Sequence, residues 1–388
     1  MGKKLKAFAP GRTEIAGNHV DHQHGIAVTG SLKQGISADV ELRDDDIIYI
    51  DSEGFEPFEV DITKIEAPDK YPEDKHYTTE SLVAGVAYAF LQRGIEIKGF
   101  NAKLSSTIGS GMGLSSSAAF ELLMAVILNV AYNEGKFNKM ELAQIGHFAE
   151  CEYFNKPCGL LDETAISYGG IIEIDFEDPE NLKVSPIEFD FTKQGLGAVL
   201  VDSGAQHGDI SEMYAAIPGD IKKVANLSGV DYLRDLEDSK FMCNIKDFRE
   251  KVGDKQTMRA IHFYHEQMLT SQRIDALKSG NTKLFTYLHG VSGTSSAEFL
   301  QNITISEENQ AATICQAICE LCLDYTCRGD FNNRGASRIH GGGFGGCIQV
   351  FLPYEQVEDF VSRVNKIYGK EVATQIEFSP SGAHAEFV

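Results

Sequence analysis

The sequence predicts an α+β fold with two lobes, and three observations support this prediction. Segments in which apolar and polar residues alternate, which is typical of strands, dominate the region up to residue 104. Helical patterns cover residues 115–154 and most of 211–324, and strand-type segments return after residue 336. We expect domains at residues 1–185 and 186–388.

Each element follows from the period of its apolar residues. Alternation, or a short apolar run, predicts strands at Lys4–Ala9, Gly25–Ser31, Ile36–Leu42, Ile47–Asp51, Phe58–Ile62, Phe100–Leu104, Gly170–Asp175, Ala198–Asp202, Ala336–His340, Cys347–Leu352 and Thr374–Phe378. Apolar residues spaced three and four apart predict helices at Thr79–Gly94, Ser115–Asn133, Lys139–Phe154 and Tyr354–Tyr368, and a long helical region from about Ser211 to Asp324.

Composition narrows the class of protein. The 388 residues are 43% hydrophobic and 24% charged, which is ordinary for a globular protein. A net charge of −22 argues against nucleic-acid and anionic-membrane partners, because both require a basic surface. The sequence holds no apolar run of about 20 residues, so we expect a cytosolic protein with reduced cysteines. Cys315, Cys319, Cys322 and Cys327 are predicted to be buried apolar residues rather than zinc ligands, since paired C-x-x-C knuckles are missing.

The run from Gly109 to Ala118 is rich in glycine and serine and connects a predicted strand to a predicted helix. A glycine-rich turn at a helix N-terminus presents unpaired N–H groups to one point, where the helix dipole also favours an anion. Serine hydroxyls can bind phosphate oxygens or Mg²⁺. The run is not a Walker A loop, because no Gly-Lys-Ser/Thr follows.

Two further segments are unusual. Residues 10–23 pack Arg12, Asn18, His19, Asp21 and other polar side chains around a turn, which suits a polyol such as a sugar. Residues 337–347 hold five glycines within six positions, so this backbone can approach another loop or a ligand closely.

In this order, the three segments resemble the galactokinase branch of the GHMP small-molecule kinases. The family patterns are Gly-Arg-x-x-x-x-Gly-Glu-His-x-Asp, Gly-x-Gly-Leu-Ser-Ser-Ser-Ala and a late Gly-x-Gly-Phe-Gly-Gly-Cys. Residues 156–163 are similar to the family's Pro-Cys-Gly-Ile-Met-Asp-Gln segment. The resemblance covers about residues 9–383 and implies the two-lobed GHMP fold, with the active site in the cleft between the lobes.

The resemblance implies a sugar 1-kinase that uses ATP and Mg²⁺, most plausibly acting on galactose. Asp162 would orient or deprotonate the anomeric hydroxyl, and Arg12 would neutralise charge beside it. Ser117 and Glu150, which precedes Asp162 by twelve residues, would hold Mg²⁺. The sugar-binding positions would be Asn18, His19, Asp21, Gly159 and Tyr214. The residues that would hold ATP are Gly109, Ser110, Gly111, Met112, Gly113, Leu114, Ser115 and Ser116. We expect a sugar and ATP as partners, and a monomer or weak homodimer.

Two positions depart from the family. Asn18 stands where galactokinases carry the Glu that contacts the sugar's C6 hydroxyl, and Glu14 stands where Asn is common, with no predicted role. An amide at position 18 would suit a C6 carboxylate, and the run from His19 to Gln23 resembles galacturonokinase-type members, so galacturonate is the alternative substrate. A non-catalytic sugar sensor is a further alternative, which the intact Ser115–Ala118 run and Asp162 disfavour. Mevalonate and homoserine kinases are disfavoured by the polyol-type first segment.

Overall fold

The computed structural model describes residues 2–109, 113–205 and 210–388. In these residues, strands of two sheets alternate with helices, as the sequence predicts. The strands are β1 (Lys4–Ala16), β2 (Ile26–Leu42), β3 (Ile47–Ser52), β4 (Phe58–Asp61), β5 (Phe100–Ser106), β6 (Ile171–Asp175), β7 (Lys183–Pro186), β8 (Leu196–Asp202), β9 (Ala336–Ile339), β10 (Cys347–Pro353), β11 (Ala373–Ile376) and β12 (His384–Phe387).

The helices pack against these sheets. They are α1 (Thr79–Gln92), α2 (Ser116–Tyr132), α3 (Lys139–Phe148), α4 (Leu161–Tyr168), α5 (Ile210–Leu227), α6 (Asp238–Cys243), α7 (Ile245–Lys251), α8 (Asp254–Lys278), α9 (Thr282–Ser295), α10 (Ala311–Thr326) and α11 (Val357–Tyr368). No helix in the described part of the chain is long and apolar enough to cross a bilayer.

The first sheet has the order β12-β1-β2-β5-β3-β4, and β6 and β7 extend it from β2. The long β2 combines two predicted strands, because both of its halves pair with β1 while its ends pair with β5 and β6. The register of β1 on β2 shifts between Pro10 and Arg12. β12 pairs with β1, so the last residues of the predicted second domain belong to the first sheet. The domain boundary itself stays a prediction.

Helix α2 lies in the core above the first sheet. Twelve consecutive residues, 118–129, are buried, and the helix packs with α1, α3 and α4. A helix that is apolar all round is stable only when it is enclosed in this way. Its N-terminus is therefore fixed relative to β1 and α4, which carry Arg12 and Asp162.

The predicted helix over 139–154 is partly wrong. α3 ends at Phe148, and a single π-helical turn, Ala149–Tyr153, follows it. The wider turn buries Glu150 and leaves Glu152 exposed. Periodicity cannot predict such a turn, because one inserted residue shifts every later side chain around the axis.

The second sheet has the order β11-β8-β10-β9. α10 packs on it through Cys315, Cys319 and Cys322, which lie in an apolar cluster with Val199 and Ile348. The groups of potential metal ligands among the described residues include none of these three cysteines. They are buried apolar residues, as predicted.

Candidate active site

Arg12 and Asp162 form a bidentate ion pair across 150 residues of sequence. Arg12 Nε donates to Asp162 Oδ1 at 2.6 Å, and Nη2 donates to Oδ2 at 2.7 Å. Ser115 Oγ also donates to Asp162 Oδ2. Burial alone would raise the pKa of Asp162, but the charge and hydrogen bonds of Arg12 outweigh it and lower the pKa. Asp162 is therefore ionised at neutral pH, at the start of α4.

The turn before α2 leaves its helix N-terminus open. Ser115 has a left-handed backbone (φ 56°), and its side chain caps no N–H of the helix because it is bonded to Asp162. The first N–H groups of α2 thus remain available to an anion. Gly11 lies so close to this turn that an added Cβ would stand 3.1 Å from the carbonyl oxygen of Leu114.

The predicted ATP-binding residues fall partly outside the described chain. Ser110, Gly111 and Met112 lie outside the described residues. Gly109, Gly113 and Ser116 are exposed, and Arg12 Nη1 donates to the Gly113 carbonyl at 2.7 Å. Leu114 is buried and accepts the backbone N–H of Arg12. The described part of the loop therefore lies directly beside the Arg12–Asp162 pair.

The two predicted Mg²⁺ ligands are in contact with each other. Ser117 Oγ donates to Glu150 Oε1 at 3.0 Å, and Lys156 Nζ donates to the same oxygen at 2.6 Å. A hydroxyl and a carboxylate are oxygen donors of the kind that Mg²⁺ prefers, so these side chains fit the ion. Lys156 would compete with Mg²⁺ for the carboxylate of Glu150. The sequence predicts no role for Lys156.

Two buried carboxyl groups adjoin this pair, and neither was predicted. Glu121 and Glu163 are fully buried, and three of their four oxygens have no hydrogen-bond partner. Burial, together with neighbouring carboxylates, raises the pKa of both groups well above the ordinary value. Glu163 stands where the family segment carries Gln. This difference was the one sign in the sequence that either carboxyl group is unusual.

Four of the predicted sugar-binding residues converge. A Cβ on Gly159 would stand 2.9 Å from Asp21 Oδ2, so the carboxylate of Asp21 faces this glycine. The rings of His19 and Tyr214 lie 5.3 Å apart between centroids, and His19 Nε2 contacts the Gly342 carbonyl oxygen at 2.9 Å. Burial lowers the pKa of His19 and raises that of Asp21. The charge of Asp162 acts on both Asp21 and Tyr214, so these side chains lie near the Arg12–Asp162 pair.

Asn18, the fifth predicted sugar-binding residue, has different surroundings from the other four. It is completely buried, and its amide donates to the Gly341 carbonyl at 2.7 Å. Its Oδ1 accepts from Ser296 and Asn302, each at 3.2 Å. The bond to Gly341 joins the first glycine-containing segment to the third.

Glu14, for which the sequence predicts no role, pairs with the fully buried Arg338. Arg338 belongs to the third segment, so this ion pair joins the first segment to the second sheet. Nearby, His340 Nε2 contacts Thr13 Oγ1 at 2.9 Å, and burial lowers the pKa of His340 to about 3. The third segment therefore supports the first by buried polar contacts.

A large cleft lies elsewhere. It measures about 1050 Å³, and Lys283, Tyr287, Gln316 and Arg334 line it between α9, α10 and β9. None of the predicted site residues that the structure describes lines this cleft.

The chain matches two family models. The GHMP kinases N-terminal domain matches residues 81–170, and the galactokinase galactose-binding signature matches residues 2–40. These two matches support the galactokinase branch of the GHMP kinases for this chain. The first match contains Ser117, Glu150 and Asp162, and the second contains Arg12 and Asp21. The two matched segments are those whose side chains meet at the site.

Curated relatives and a solved structure extend the likeness over nearly the whole chain. A galactokinase of Streptomyces coelicolor is 28% identical over 363 residues, covering 93% of this chain and 87% of its own length. A galactokinase of Glaesserella parasuis is 28% identical over 375 residues, covering 96% and 91%. The crystal structure of Lactococcus lactis galactokinase complexed with galactose superposes with a TM-score of 0.79, at 23% identity, covering 98% and 94%. The fold is the α+β GHMP kinase fold that the sequence predicts.

Proposed function

We propose that this GHMP kinase transfers the γ-phosphoryl group of ATP to the anomeric hydroxyl of galactose. The proposal is based on the contact of Asp162 with both Arg12 and Ser115, which lies at the open N-terminus of α2. It places an ionised carboxylate beside a helix end that favours phosphate. The two galactokinases that are 28% identical to this chain over most of its length support the same activity.

Asp162 acts mainly by orienting the sugar hydroxyl. Arg12 lowers the pKa of Asp162, which makes the carboxylate a weak base. A weak base is sufficient when the phosphoryl group passes through a loose transition state, because the hydroxyl loses its proton late. Arg12 also holds the Gly113 carbonyl, and in this way it ties the carboxylate to the phosphate-binding turn.

Ser117 and Glu150 are the proposed Mg²⁺ ligands. When bound there, the ion would neutralise charge on the phosphate oxygens of ATP. Lys156 must then leave Glu150 Oε1, and its exposed side chain can do so without disturbing the core. The backbone N–H groups of Ser116 and Ser117 would contact the triphosphate.

Galactose is favoured over galacturonate by the surroundings of Asn18. One of the two arguments for a uronic acid needs an Asn18 amide that faces C6, and here that amide is bonded to the Gly341 carbonyl. Asp21, the carboxylate that faces Gly159, would repel a second carboxylate in the same space. A cytosolic location and a monomer or weak homodimer remain parts of the proposal that derive from the sequence.

The test is ADP release with ATP, Mg²⁺ and one sugar at a time: galactose, galacturonate, glucose, N-acetylgalactosamine and arabinose. We expect the highest kcat/KM with galactose, and loss of turnover in Asp162→Ala. A preference for galacturonate would replace the substrate but keep the reaction. The protein would be a sugar sensor if none of the five sugars gives ADP release, if Asp162→Ala is equal to wild type, and if calorimetry shows that galactose still binds.

A further inference from the structure

Two cysteines and a histidine meet beside the proposed Mg²⁺ ligands, and the kinase reaction uses none of them. His147 lies in the last turn of α3, and Cys151 lies four residues later in the π-helical turn. Cys158 comes from the loop that leads to α4. Cys151 Sγ is 3.5 Å from His147 Nε2 and 3.7 Å from Cys158 Sγ.

These distances are those between the ligands of a tetrahedral zinc ion. With Zn–S near 2.3 Å and Zn–N near 2.05 Å, tetrahedral angles place two sulfurs about 3.8 Å apart and a sulfur and nitrogen about 3.6 Å apart. The sulfurs are too far apart for a disulfide, in which they lie about 2.05 Å apart. The three ligand atoms lie within 4.8 Å of one another.

Glu163 is close to this group without belonging to it. Its Oε1 lies 3.8 Å from Cys158 Sγ, and Cys158 and Glu163 form a second compact group with Glu150. A solvent-derived ligand would therefore complete the tetrahedron around an ion held by His147, Cys151 and Cys158.

We propose that His147, Cys151 and Cys158 bind a single Zn²⁺ ion. Thiolate and imidazole ligands select a soft, tetrahedral metal, whereas Mg²⁺ at Ser117 and Glu150 requires oxygen ligands. The cluster adjoins a carboxylate, because Cys158 Sγ donates to Glu150 Oε2 at 3.4 Å, and a divalent cation would offset this charge. His147, Cys151 and Cys158 are half-buried, so the ion can enter from solvent.

The ion would link the 154–160 loop, through Cys158, to His147 at the end of α3. That loop carries Lys156 and Gly159, and it ends one residue before the helix that holds Asp162. Binding would therefore stabilise the segment on which the active site is built. The proposal depends on the ligand geometry alone and stands whichever sugar is the substrate.

The test is metal binding to the whole protein, kept reduced and stripped with a chelator. After addition of Zn²⁺ and removal of excess by gel filtration, we expect about one equivalent of zinc per chain by mass spectrometry. Co²⁺ should give thiolate-to-cobalt charge-transfer absorption and the intense visible bands of tetrahedral cobalt. Zn²⁺ should also raise the Tm, since it binds the folded state.

Cys151→Ser and His147→Gln should each weaken zinc binding by about 100-fold or more, because each removes a direct ligand. Cys243→Ser is the matched control, since Cys243 is an exposed free thiol remote from the cluster. If the wild-type protein retains no zinc, or if Cys151→Ser and Cys243→Ser retain equal amounts, the proposal is wrong. Should Cys151→Ser fail to fold, His147→Gln and the cobalt spectrum decide the question. Kinase activity is measured separately and does not enter this test.

Discussion

Both carboxylate oxygens of Asp162 are held by the guanidinium of Arg12, at 2.6 and 2.7 Å, while Ser115 donates a third hydrogen bond. Strand β1, helix α4 and the turn before α2 thus meet at one carboxylate. A planar guanidinium can hold two oxygens at once, and an ammonium group cannot.

Arg12→Lys should therefore lower kcat by about 10- to 100-fold, and Asp162→Asn by about 100- to 10,000-fold, with smaller effects on the KM for sugar. Steady-state kinetics with galactose measures both. Arg43→Lys is the matched control, because Arg43 makes a similar bidentate pair with Asp45 on the surface. Equal losses in Arg12→Lys and Arg43→Lys would contradict a role for Arg12 at the reacting group.

Glu14 and Arg338 form a buried ion pair, and removing the charge of Glu14 leaves Arg338 to share the single carboxylate of Glu266 with Arg273. Glu14→Gln should lower the free energy of unfolding by about 3 to 5 kcal/mol. Denaturant unfolding measures the loss. Glu320→Gln, which breaks a partly exposed pair with Arg334, should cost less than about 1 kcal/mol. A cost as small for Glu14→Gln would show that Glu14 is not bound to Arg338 in solution.

Asn18 makes its hydrogen bonds inside the protein. Asn18→Ala should lower the free energy of unfolding by about 1 to 3 kcal/mol, because it leaves the Gly341 carbonyl and Asn302 amide unpaired. The ratio of kcat/KM for galactose to that for galacturonate should stay the same. Asp21→Asn, at a residue that faces the sugar space, should change this ratio. A changed ratio in Asn18→Ala would instead place position 18 against the sugar.

Lys156 occupies the carboxylate oxygen that Mg²⁺ would need. Lys156→Ala should lower the Mg²⁺ concentration for half-maximal activity several-fold, since the ion no longer competes with an ammonium group for Glu150. Lys64→Ala, which breaks the surface pair with Asp61, is the control and should leave this concentration unchanged. A higher Mg²⁺ requirement in Lys156→Ala would mean that Lys156 binds the ATP phosphates.

Buried His340 should make stability depend on pH. Burial, and then the charge of Arg12, lowers its pKa to about 3, whereas the unfolded chain takes up a proton near pH 6.5. Between these values the unfolded state binds more protons, so stability falls as the pH falls, by about 2 kcal/mol at pH 5 from this group. Buried Glu121 and Glu163, with raised pKa values, act in the opposite direction.

The contribution of His340 is therefore measured as a difference. Denaturant unfolding between pH 7 and pH 5 should give a shallower loss of stability for His340→Gln than for wild type. His384→Gln, at an exposed histidine, should follow the wild-type curve. Identical curves for His340→Gln and wild type would show that His340 is already protonated in the folded state at pH 5.

The sequence indicated a large part of the fold and the chemistry of the site. The period of apolar residues predicted α1, α2, β5 and β10 within two residues of their observed ends, because these elements each bury one face or all of it. The start of α2 directly after a glycine-rich run also follows from a local pattern, whereas α4, which carries Asp162, was not predicted. Local patterns are sufficient where a backbone conformation depends on its own neighbours.

The tertiary structure alone decided which side chains meet. Glu14 and Arg338 are 324 residues apart, and the packing of the second sheet on the first brings them together. The π-helical turn after α3 decided that Glu150, and not Glu152, faces Ser117. By itself the sequence determined most of the elements, because the alternation of buried and exposed positions can be read from the order of the residues, and it indicated Asp162 as the candidate carboxylate. It could not determine the partner of Asn18, Glu14 or Lys156, because a buried polar group is stabilised by whichever group the packing places beside it.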